Sequence, residues 1–271
     1  MNWHETIEYI RKEPIYQQLV EEAYFSADLE SNVESFRNSD EFIATLALIK
    51  TFNYKNQIHL LDVGAGNGIS SVAFALEGFK VISLEPDPSD TIGAGAIKRL
   101  KEIYKLAELN VIGSYGENMP FDDDYFDIVY ARQCMHHAYN LPEFTKSMYR
   151  VVKPKGILLT VRDHVIINDS DKQAFLKKHP LHKFYGGENA FTLMEYKSAI
   201  TNAGFKVIKI LGPADSVINY SPWSFSRVQK IIKEKIGGWA VKGFISRVCW
   251  IAIKFRLKFV PGRLYTFISE K

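Results

Sequence analysis

The chain has 271 residues, 46% of them hydrophobic, and carries a formal net charge of +3. This composition is ordinary for a soluble globular protein, and the length allows one large domain or two small ones. Its two cysteines, Cys134 and Cys249, have no metal-like spacing, which argues against disulfide bonds and for a reducing cytoplasm.

Residues 1–56 are predicted to form a helical cap ahead of the first strand. Apolar residues recur near a helical period in two stretches of this segment, and Ser39 is the expected N-cap of the second stretch. Residues 24–28 connect the two stretches. They are a candidate lid over a binding site, and a plain helix connection is the alternative.

From residue 57 onwards the pattern alternates between strands and helices, and residues 57–271 are expected to form one domain. Strands are predicted over 58–63, 79–84, 110–114, 126–131 and 156–161, with a helix over 89–107. Such alternation predicts an α/β fold with a Rossmann-like, doubly wound, mostly parallel sheet of seven strands. Ligands bind at the carboxyl ends of the strands in folds of this kind.

The regular spacing is interrupted after the fifth strand. Residues 163–191 form a connection longer than most in compact domains, so they are a candidate substrate loop, with a structural Ω-loop as the alternative. Thr192 is the expected N-cap of a helix over 193–202, and strands are predicted over 205–211 and 264–268. A helical insertion, residues 213–262, separates these last two strands.

This insertion is basic. Residues 224–271 carry eleven Lys and Arg against two acidic residues, and the rest of the chain has a net charge of −6. Apolar residues recur at helical spacing among the charges, namely Val241, Phe244, Ile245, Val248, Ile251 and Phe255. The pattern is typical of a membrane-surface helix, so peripheral membrane contact through 224–262 is one expectation. Packing on the domain or on a second subunit of an oligomer is the other, and no motif indicates nucleic-acid binding.

A glycine loop lies between the first strand and the following helix. Its spacing is Gly64-x-Gly66-x-Gly68, and the third glycine of a dinucleotide site would fall at Ser71 instead. The next strand ends at Glu85, which is well placed to accept hydrogen bonds from ribose hydroxyls. The combination favours an adenosyl ligand without a pyrophosphate.

Four segments carry a family resemblance. They are residues 61–68 (LDVGAGNG), 84–87 (LEPD), 117–121 with 124–129 (ENMPF, DYFDIV) and 150–156 (RVVKPKG). With these segments the chain resembles the class I S-adenosylmethionine-dependent methyltransferases, in particular the branch that includes ubiquinone/menaquinone and sugar methyltransferases. The resemblance covers about residues 58–165.

The resemblance implies that S-adenosyl-L-methionine is the cofactor and S-adenosyl-L-homocysteine the product. Gly64, Ala65 and Gly66 would contact the methionine part, Asp62 would support the loop, and Glu85 would hold the ribose. The whole predicted cofactor set is Asp62, Gly64, Ala65, Gly66, Gly68, Glu85, Pro86, Gly116, Glu117 and Arg132. One residue departs from the family, since Tyr115 stands where relatives usually place an Asp that binds the adenine.

Candidate catalytic residues follow the fourth and fifth strands. His136 or His137 is the expected general base, and Asp163 or His164 is the expected helper. The arrangement resembles that of sugar O-methyltransferases, in which a His in this position acts as base. A histidine that only caps a helix or binds the backbone is the alternative.

The expected acceptor is a small molecule or glycan, bound by His182, Tyr185, Glu188 and Asn189 of the long connection. Aromatic rings together with Glu, Asn and His side chains suit a sugar, whose hydroxyl would be methylated. If the insertion binds membrane, the sugar would belong to a lipid-linked glycan, as in cell-surface polysaccharide assembly. A quinone-like lipophilic acceptor is one alternative, and a non-catalytic S-adenosylmethionine-binding partner subunit is another. His179 and His182 lack a partner at zinc-like spacing, so no metal is expected.

Overall fold

The computed structural model describes residues 1–236 and 244–271 of the chain. Within these ranges, eight strands form one sheet. They are β1 (His59–Val63), β2 (Lys80–Leu84), β3 (Leu109–Ile112), β4 (Phe126–Arg132), β5 (Val152–Ile166), β6 (Phe191–Thr192), β7 (Lys206–Leu211) and β8 (Arg263–Glu270).

The helices within the same ranges precede, connect and follow these strands. They are α1 (Trp3–Lys12), α2 (Gln17–Glu22), α3 (Leu29–Arg37), α4 (Asp40–Lys50), α5 (Ile69–Leu76), α6 (Ala94–Ile103), α7 (Leu141–Val151), α8 (Asp169–Lys178), α9 (His182–Tyr185), α10 (Leu193–Ala203), α11 (Val217–Tyr220), α12 (Phe225–Ile236) and α13 (Phe244–Leu257). Two short 3₁₀ turns, Pro14–Tyr16 and Met135–His137, complete the set.

The sheet has the order β3-β2-β1-β4-β5-β8-β7, and β6 pairs with the end of β5. Strands β1 to β5 run parallel, and β8 is antiparallel to both β5 and β7. The mostly parallel α/β fold predicted from the sequence is confirmed, with seven strands on one continuous path and β6 as an addition. All the carboxyl ends of β1, β2, β4 and β5 therefore meet at one edge.

Alternating side chains along the strands build two cores. Leu60 and Ile128 lie opposite each other in register and face α3, α5 and α6, whereas the next pair, Leu61 and Val129, faces α7 and α10. All four are fully buried. The period of two along a strand thus explains why near-continuous apolar strands are covered on both faces.

The helical cap is present, and its second half is anchored where the sequence predicts. Ser39 is the N-cap of α4 and its side chain accepts a hydrogen bond from the Phe42 N–H. In the first half, Trp3 of α1 packs edge-on against Tyr185 of α9 at 4.9 Å between ring centroids. The cap therefore reaches the segment expected to bind substrate.

Strand β5 is longer than expected, and the connection after it is more regular. The predicted substrate loop, 163–191, contains the end of β5 and both α8 and α9. Asn168 caps α8 by accepting a hydrogen bond from the Asp171 N–H, and acidic residues occupy its first turn. These N-terminal signals stabilise a helix where the length of the connection suggested a loop.

A β-bulge interrupts β5 where it pairs with β8. Thr160 lies opposite Phe267 and Asp163 opposite Tyr265, so β5 has one extra residue in this interval. Arg162 within the bulge has a φ of +63°, a left-handed conformation that is rare for a side chain of this size.

The basic insertion contains α11, α12 and α13. Val228 and Ile232 of α12 are buried against Cys249, Trp250 and Ile253 of α13. Residues 237–243, which include the predicted helical position Val241, lie outside the described residues, and the helix that follows begins at Phe244. Among the helices that are described, none is both long and apolar enough to cross a membrane.

Candidate active site

The glycine loop turns sharply between β1 and α5. Gly64, Gly66 and Gly68 all have positive φ, at +65°, +56° and +83°. A Cβ on Gly64 would lie 2.4 Å from Sγ of Cys134, so only glycine fits there. Each glycine identified in the sequence is therefore required by the backbone of the loop.

Asp62 holds this loop to the helix that follows it. The carboxylate is fully buried, and its Oδ2 accepts hydrogen bonds from the hydroxyls of Ser70 at 2.7 Å and Ser71 at 2.6 Å. Burial raises the pKa of Asp62 to about 6, although both hydroxyls oppose that shift. The side chain supports the loop, as the resemblance implies.

Glu85, at the end of β2, reaches across to the same loop. Its Oε2 accepts a hydrogen bond from the Gly66 N–H at 2.7 Å, and its Oε1 accepts one from the Asp87 N–H at 2.9 Å. Burial raises the pKa of Glu85 to about 7. The carboxylate is thus fixed at the wall of the cavity described next.

A cavity of about 700 Å³ opens at this edge of the sheet. Its wall includes eight of the predicted cofactor residues, namely Gly64, Ala65, Gly66, Glu85, Pro86, Gly116, Glu117 and Arg132. Residues of the helical cap, among them Trp3, Leu19 and Phe25, also line it. The sequence offers residues 24–28 as a candidate lid, with a plain helix connection as the alternative, and nothing in it indicates that α1 and α2 also line the cavity.

His136 lies in the 3₁₀ turn after β4 and is almost completely buried, with 2% of its surface exposed. Its Nδ1 is 3.1 Å from Oδ1 of Asp163, and its backbone N–H donates to the same oxygen at 3.3 Å. Burial alone would lower the pKa of His136, but the carboxylates of Asp163 and Glu188 outweigh it and raise that pKa to about 9. The predicted pair of His136 and Asp163 is therefore in direct contact.

His137 is adjacent in the chain but has different surroundings. Its Nδ1 is 3.2 Å from the carbonyl oxygen of Gly187, and its side chain lines the cavity. Burial and the charge on His136 lower the pKa of His137 to about 4, which leaves its ring neutral at pH 7. Since Nδ1 donates to a carbonyl, the tautomer has its lone pair on Nε2.

The remaining predicted residues divide into two groups. Tyr185 and Glu188 line the cavity with His164, and the Tyr185 hydroxyl donates to Oε1 of Glu188 at 2.5 Å. His182 and Asn189 belong to the same connection, but neither is among the described residues of the cavity wall. Gly68 and Asp62 also lie behind the wall, where they shape the loop.

A buried charge cluster beneath the cavity is not evident from the sequence. Glu41 of α4 receives hydrogen bonds from Nε and Nη2 of Arg132 at 2.5 and 3.1 Å, and Nη1 of Arg162 lies 3.5 Å from it. Burial raises the pKa of Glu41, but the two guanidinium groups outweigh that effect and lower it overall. Arg132, predicted to bind cofactor, thus lines the cavity with its charge already paired.

Comparison with known proteins identifies the central part of the chain. Residues 61–160 match the family model described as "Methyltransferase domain". The chain is 30% identical over 148 residues to the uncharacterized methyltransferase YcgJ of Bacillus subtilis, which covers 51% of this chain and 54% of that protein. It is 28% identical over 103 residues to the ubiquinone/menaquinone biosynthesis C-methyltransferase of Vibrio vulnificus, covering 38% and 40% of the two chains.

Solved structures agree on the fold. Geranyl diphosphate C-methyltransferase from Streptomyces coelicolor superposes with a TM-score of 0.60 at 13% identity, over 99% of this chain and 97% of that one. A sarcosine dimethylglycine methyltransferase from Galdieria sulphuraria gives a TM-score of 0.57 at 19% identity, over 88% and 86%. The chain spans about half or less of the length of the curated relatives it matches.

Proposed function

Residues 61–160 form a methyltransferase domain of the class I, S-adenosylmethionine-dependent family, and from this premise we propose that the chain methylates a hydroxyl group of a small polar acceptor, such as a sugar. One observation carries the proposal: the glycine loop and Glu85 share a single cavity with the side chains of His136 and His137, and Asp163 contacts His136 from behind the cavity wall. A donor site and a proton-accepting site therefore face the same space.

The residues at the donor end fit S-adenosylmethionine. A Cβ on Gly66 would meet no atom within 4 Å, so the loop leaves open space beside its backbone. Glu85, held by two backbone N–H groups, would accept hydrogen bonds from both ribose hydroxyls. The bound cofactor supplies an electrophilic methyl group, and the chain's own residues must place the acceptor oxygen in line with it.

The base of this reaction is assigned to His137. Its Nδ1 is occupied by the Gly187 carbonyl, which orients the ring and leaves Nε2 to accept the hydroxyl proton. His136 is enclosed instead, with Asp163 at Nδ1 and Glu188 3.5 Å from Nε2. In this proposal His137 would take the proton from the acceptor, and His136 would organise the cavity wall beside it.

A sugar suits the part of the cavity near Glu188 because polar side chains and the aromatic ring of Tyr185 line it. Glu188 and Tyr185 are hydrogen-bonded to each other at the wall, and His164 lies beside them. Hydroxyl groups of a polyhydroxylated ligand can pair with such side chains, while an aromatic ring packs on its apolar face. A quinone-like phenol remains the second candidate, which the apolar side of the cavity at Trp3 and Phe25 favours.

Calorimetry followed by an activity screen tests the proposal. S-adenosylmethionine and S-adenosylhomocysteine are expected to bind with one site per chain, and NAD is expected not to bind. Methyl transfer is then measured over nucleotide sugars, lipid-linked glycans and quinols. Failure of both sulfur nucleosides to bind would overturn the whole proposal, whereas binding without transfer to any acceptor would favour a non-catalytic partner subunit.

The raised pKa of Glu85 predicts pH-dependent binding of the nucleoside part. The carboxylate accepts hydrogen bonds from the ribose better than the neutral acid, so affinity is expected to rise several-fold between pH 6 and pH 8, across the Glu85 pKa of about 7, and to level off above about pH 8. Methylthioadenosine is the suitable probe because it lacks the titrating amino-acid group. Glu85→Gln should weaken binding and flatten the pH profile, and an unchanged profile in that variant would contradict the assignment.

We further propose that the exposed side of α13 meets an anionic membrane surface. Val248, Ile251 and Phe255 recur along this side with 43%, 66% and 63% of their surface exposed, and Lys254, Arg256 and Lys258 lie among them. Apolar side chains and positive charge on one surface complement a lipid layer with anionic headgroups.

Vesicle flotation tests the membrane contact. Neutralising Lys254, Arg256 and Lys258 to Gln should weaken binding to anionic vesicles on the order of 100-fold, at about 1 kcal/mol for each charge. Replacing Lys50, Lys98 and Lys105 with Gln gives a control with the same change in net charge, because these lysines are exposed in other parts of the chain. Equal flotation of both triple variants and the unchanged chain would refute the contact and favour packing on a second subunit.

A further inference from the structure

Three side chains from separate parts of the chain converge at the inner end of the cavity. His136 follows β4, His164 lies in β5 and Glu188 follows α9. One candidate ligand atom from each lies within 4.8 Å of the others, and the distance from His136 Nε2 to Glu188 Oε2 is 3.5 Å. Two nitrogen donors and one carboxylate oxygen thus face a common point.

Both histidines present Nδ1 to an oxygen acceptor, and an ion bound at Nε2 of His136 would displace the proton that Asp163 and Glu188 stabilise on this ring. His164 Nδ1 is 2.7 Å from the Gly262 carbonyl oxygen, which can only accept, so this nitrogen carries the hydrogen. His136 Nδ1 is in turn 3.1 Å from the Asp163 carboxylate. Metal-binding histidines almost always donate their second N–H to a carboxylate or a backbone carbonyl, which leaves the lone pair of Nε2 for the ion.

Two buried polar atoms at the same point lack hydrogen-bond partners within the described ranges. They are Oε2 of Glu188 and Nδ1 of His179. The Glu188 side chain is only 4% exposed. Its other oxygen, Oε1, lies 3.7 Å from Nδ1 of His179. Oε2 of Glu188 lies 3.5 Å from Nε2 of His136 without forming a hydrogen bond, and a metal ion bound to both atoms would satisfy each of them.

We propose that His136, His164 and Glu188 bind a divalent first-row transition-metal ion, with His179 as a neighbour able to supply a fourth ligand. Imidazole and carboxylate donors suit Zn²⁺, Co²⁺, Mn²⁺ or Fe²⁺, whereas Mg²⁺ prefers oxygen ligands alone. At tetrahedral angles, metal–ligand bonds of about 2.0–2.2 Å place two ligand atoms about 3.3–3.6 Å apart. The measured 3.5 Å fits, and atoms as far apart as 4.8 Å must approach by about 1 Å through side-chain rotation when the ion binds.

The ion would have open positions toward the cavity, because the side chains that bind it line the cavity. There it would bind the acceptor oxygen as a Lewis acid and lower the pKa of the hydroxyl whose proton His137 accepts. This role rests on the proposed methyl transfer. The binding of the ion does not, since it depends only on the four side chains.

Metal titration tests the site on the full chain. The protein is stripped with a chelator, dialysed, and titrated with Co²⁺ and Zn²⁺ by calorimetry, without any nucleoside. One ion per chain is expected, with visible d–d bands for Co²⁺ that indicate four or five ligands including nitrogen. Mg²⁺ should bind far more weakly. Absence of stoichiometric Co²⁺ and Zn²⁺ binding would overturn the inference.

Variants locate the ion. Glu188→Gln and His164→Gln should each weaken Co²⁺ binding by about 100-fold or more and alter the d–d bands, because each removes one ligand. His59→Gln, at the opposite end of β1, is the matched control and should bind as the unchanged chain does. Thermal melting confirms that each variant is folded. Unaltered Co²⁺ affinity and bands in folded Glu188→Gln and His164→Gln would place the ion elsewhere and refute the assignment.

The same preparations separate this inference from the proposed function. S-adenosylhomocysteine binding is measured on the metal-free chain. Nucleoside binding without ion binding would overturn the metal site alone, and ion binding without nucleoside binding would overturn the methyltransferase proposal alone.

Discussion

Replacing His137 with glutamine is expected to lower kcat for methyl transfer by about 10²–10⁴-fold, the contribution of a placed general base. Glutamine keeps a polar group of similar length near the Gly187 carbonyl, which His137 contacts at 3.2 Å, but it cannot accept the hydroxyl proton. The affinity for S-adenosylhomocysteine should stay nearly unchanged, since the donor is bound by the glycine loop and Glu85. Single-turnover kinetics with saturating donor measure the effect.

The control for this variant is His59→Gln, which changes a histidine outside the cavity wall. It should retain full activity. An unchanged kcat in His137→Gln would remove this residue from the mechanism. A large loss of S-adenosylhomocysteine affinity in the same variant would instead assign it to the donor site.

The largest effect on stability is expected at Glu41. Its carboxylate, 1% exposed, is paired with Arg132 and lies close to Arg162. Removal of one partner leaves buried guanidinium charge without compensation, which costs about 3–5 kcal/mol. Glu41→Gln should lower the free energy of unfolding by that amount in urea denaturation.

Asp123→Asn provides the comparison for a surface ion pair. Asp123 contacts Arg150 at 2.9 Å with 71% of its side chain exposed, so its loss should cost less than about 1 kcal/mol. Similar costs for the two variants would show that the Glu41 cluster contributes no more than an ordinary surface pair.

The sequence predicts the sheet well because its strands are short, apolar and bounded by clear signals. Ser39 and Thr192 are N-caps as expected, and the helix after the glycine loop begins at Ile69. The prediction of the strands from the sequence is wrong where polar residues continue a strand. The predicted fifth strand ends at residue 161, yet Asp163 and His164 pair with β8 and so belong to the sheet.

The candidate site was predictable only in part. The loop glycines, Glu85 and the contact between His136 and Asp163 follow from local sequence and from the meeting of strand ends. The pairing of Glu41 with Arg132 joins residues 91 positions apart, and no local pattern marks it. For the same reason, zinc-like spacing is not visible in the sequence when His136, His164 and Glu188 each come from a different segment.

The bulge in β5 bears on how related sequences should be read. Its extra residue allows neighbouring positions to serve different partners: Arg162 donates to the carbonyls of Ile218 and Ser221, while Asp163 contacts His136. Deleting one residue there would restore an unbroken ladder and remove the position from which Arg162 reaches the carbonyls of Ile218 and Ser221, while Asp163 would stay opposite Tyr265. In an alignment, a one-residue gap at this position would therefore mark a homologue in which the arginine contact to the α11 segment has been lost, even where the glycine loop and the histidine cluster are intact.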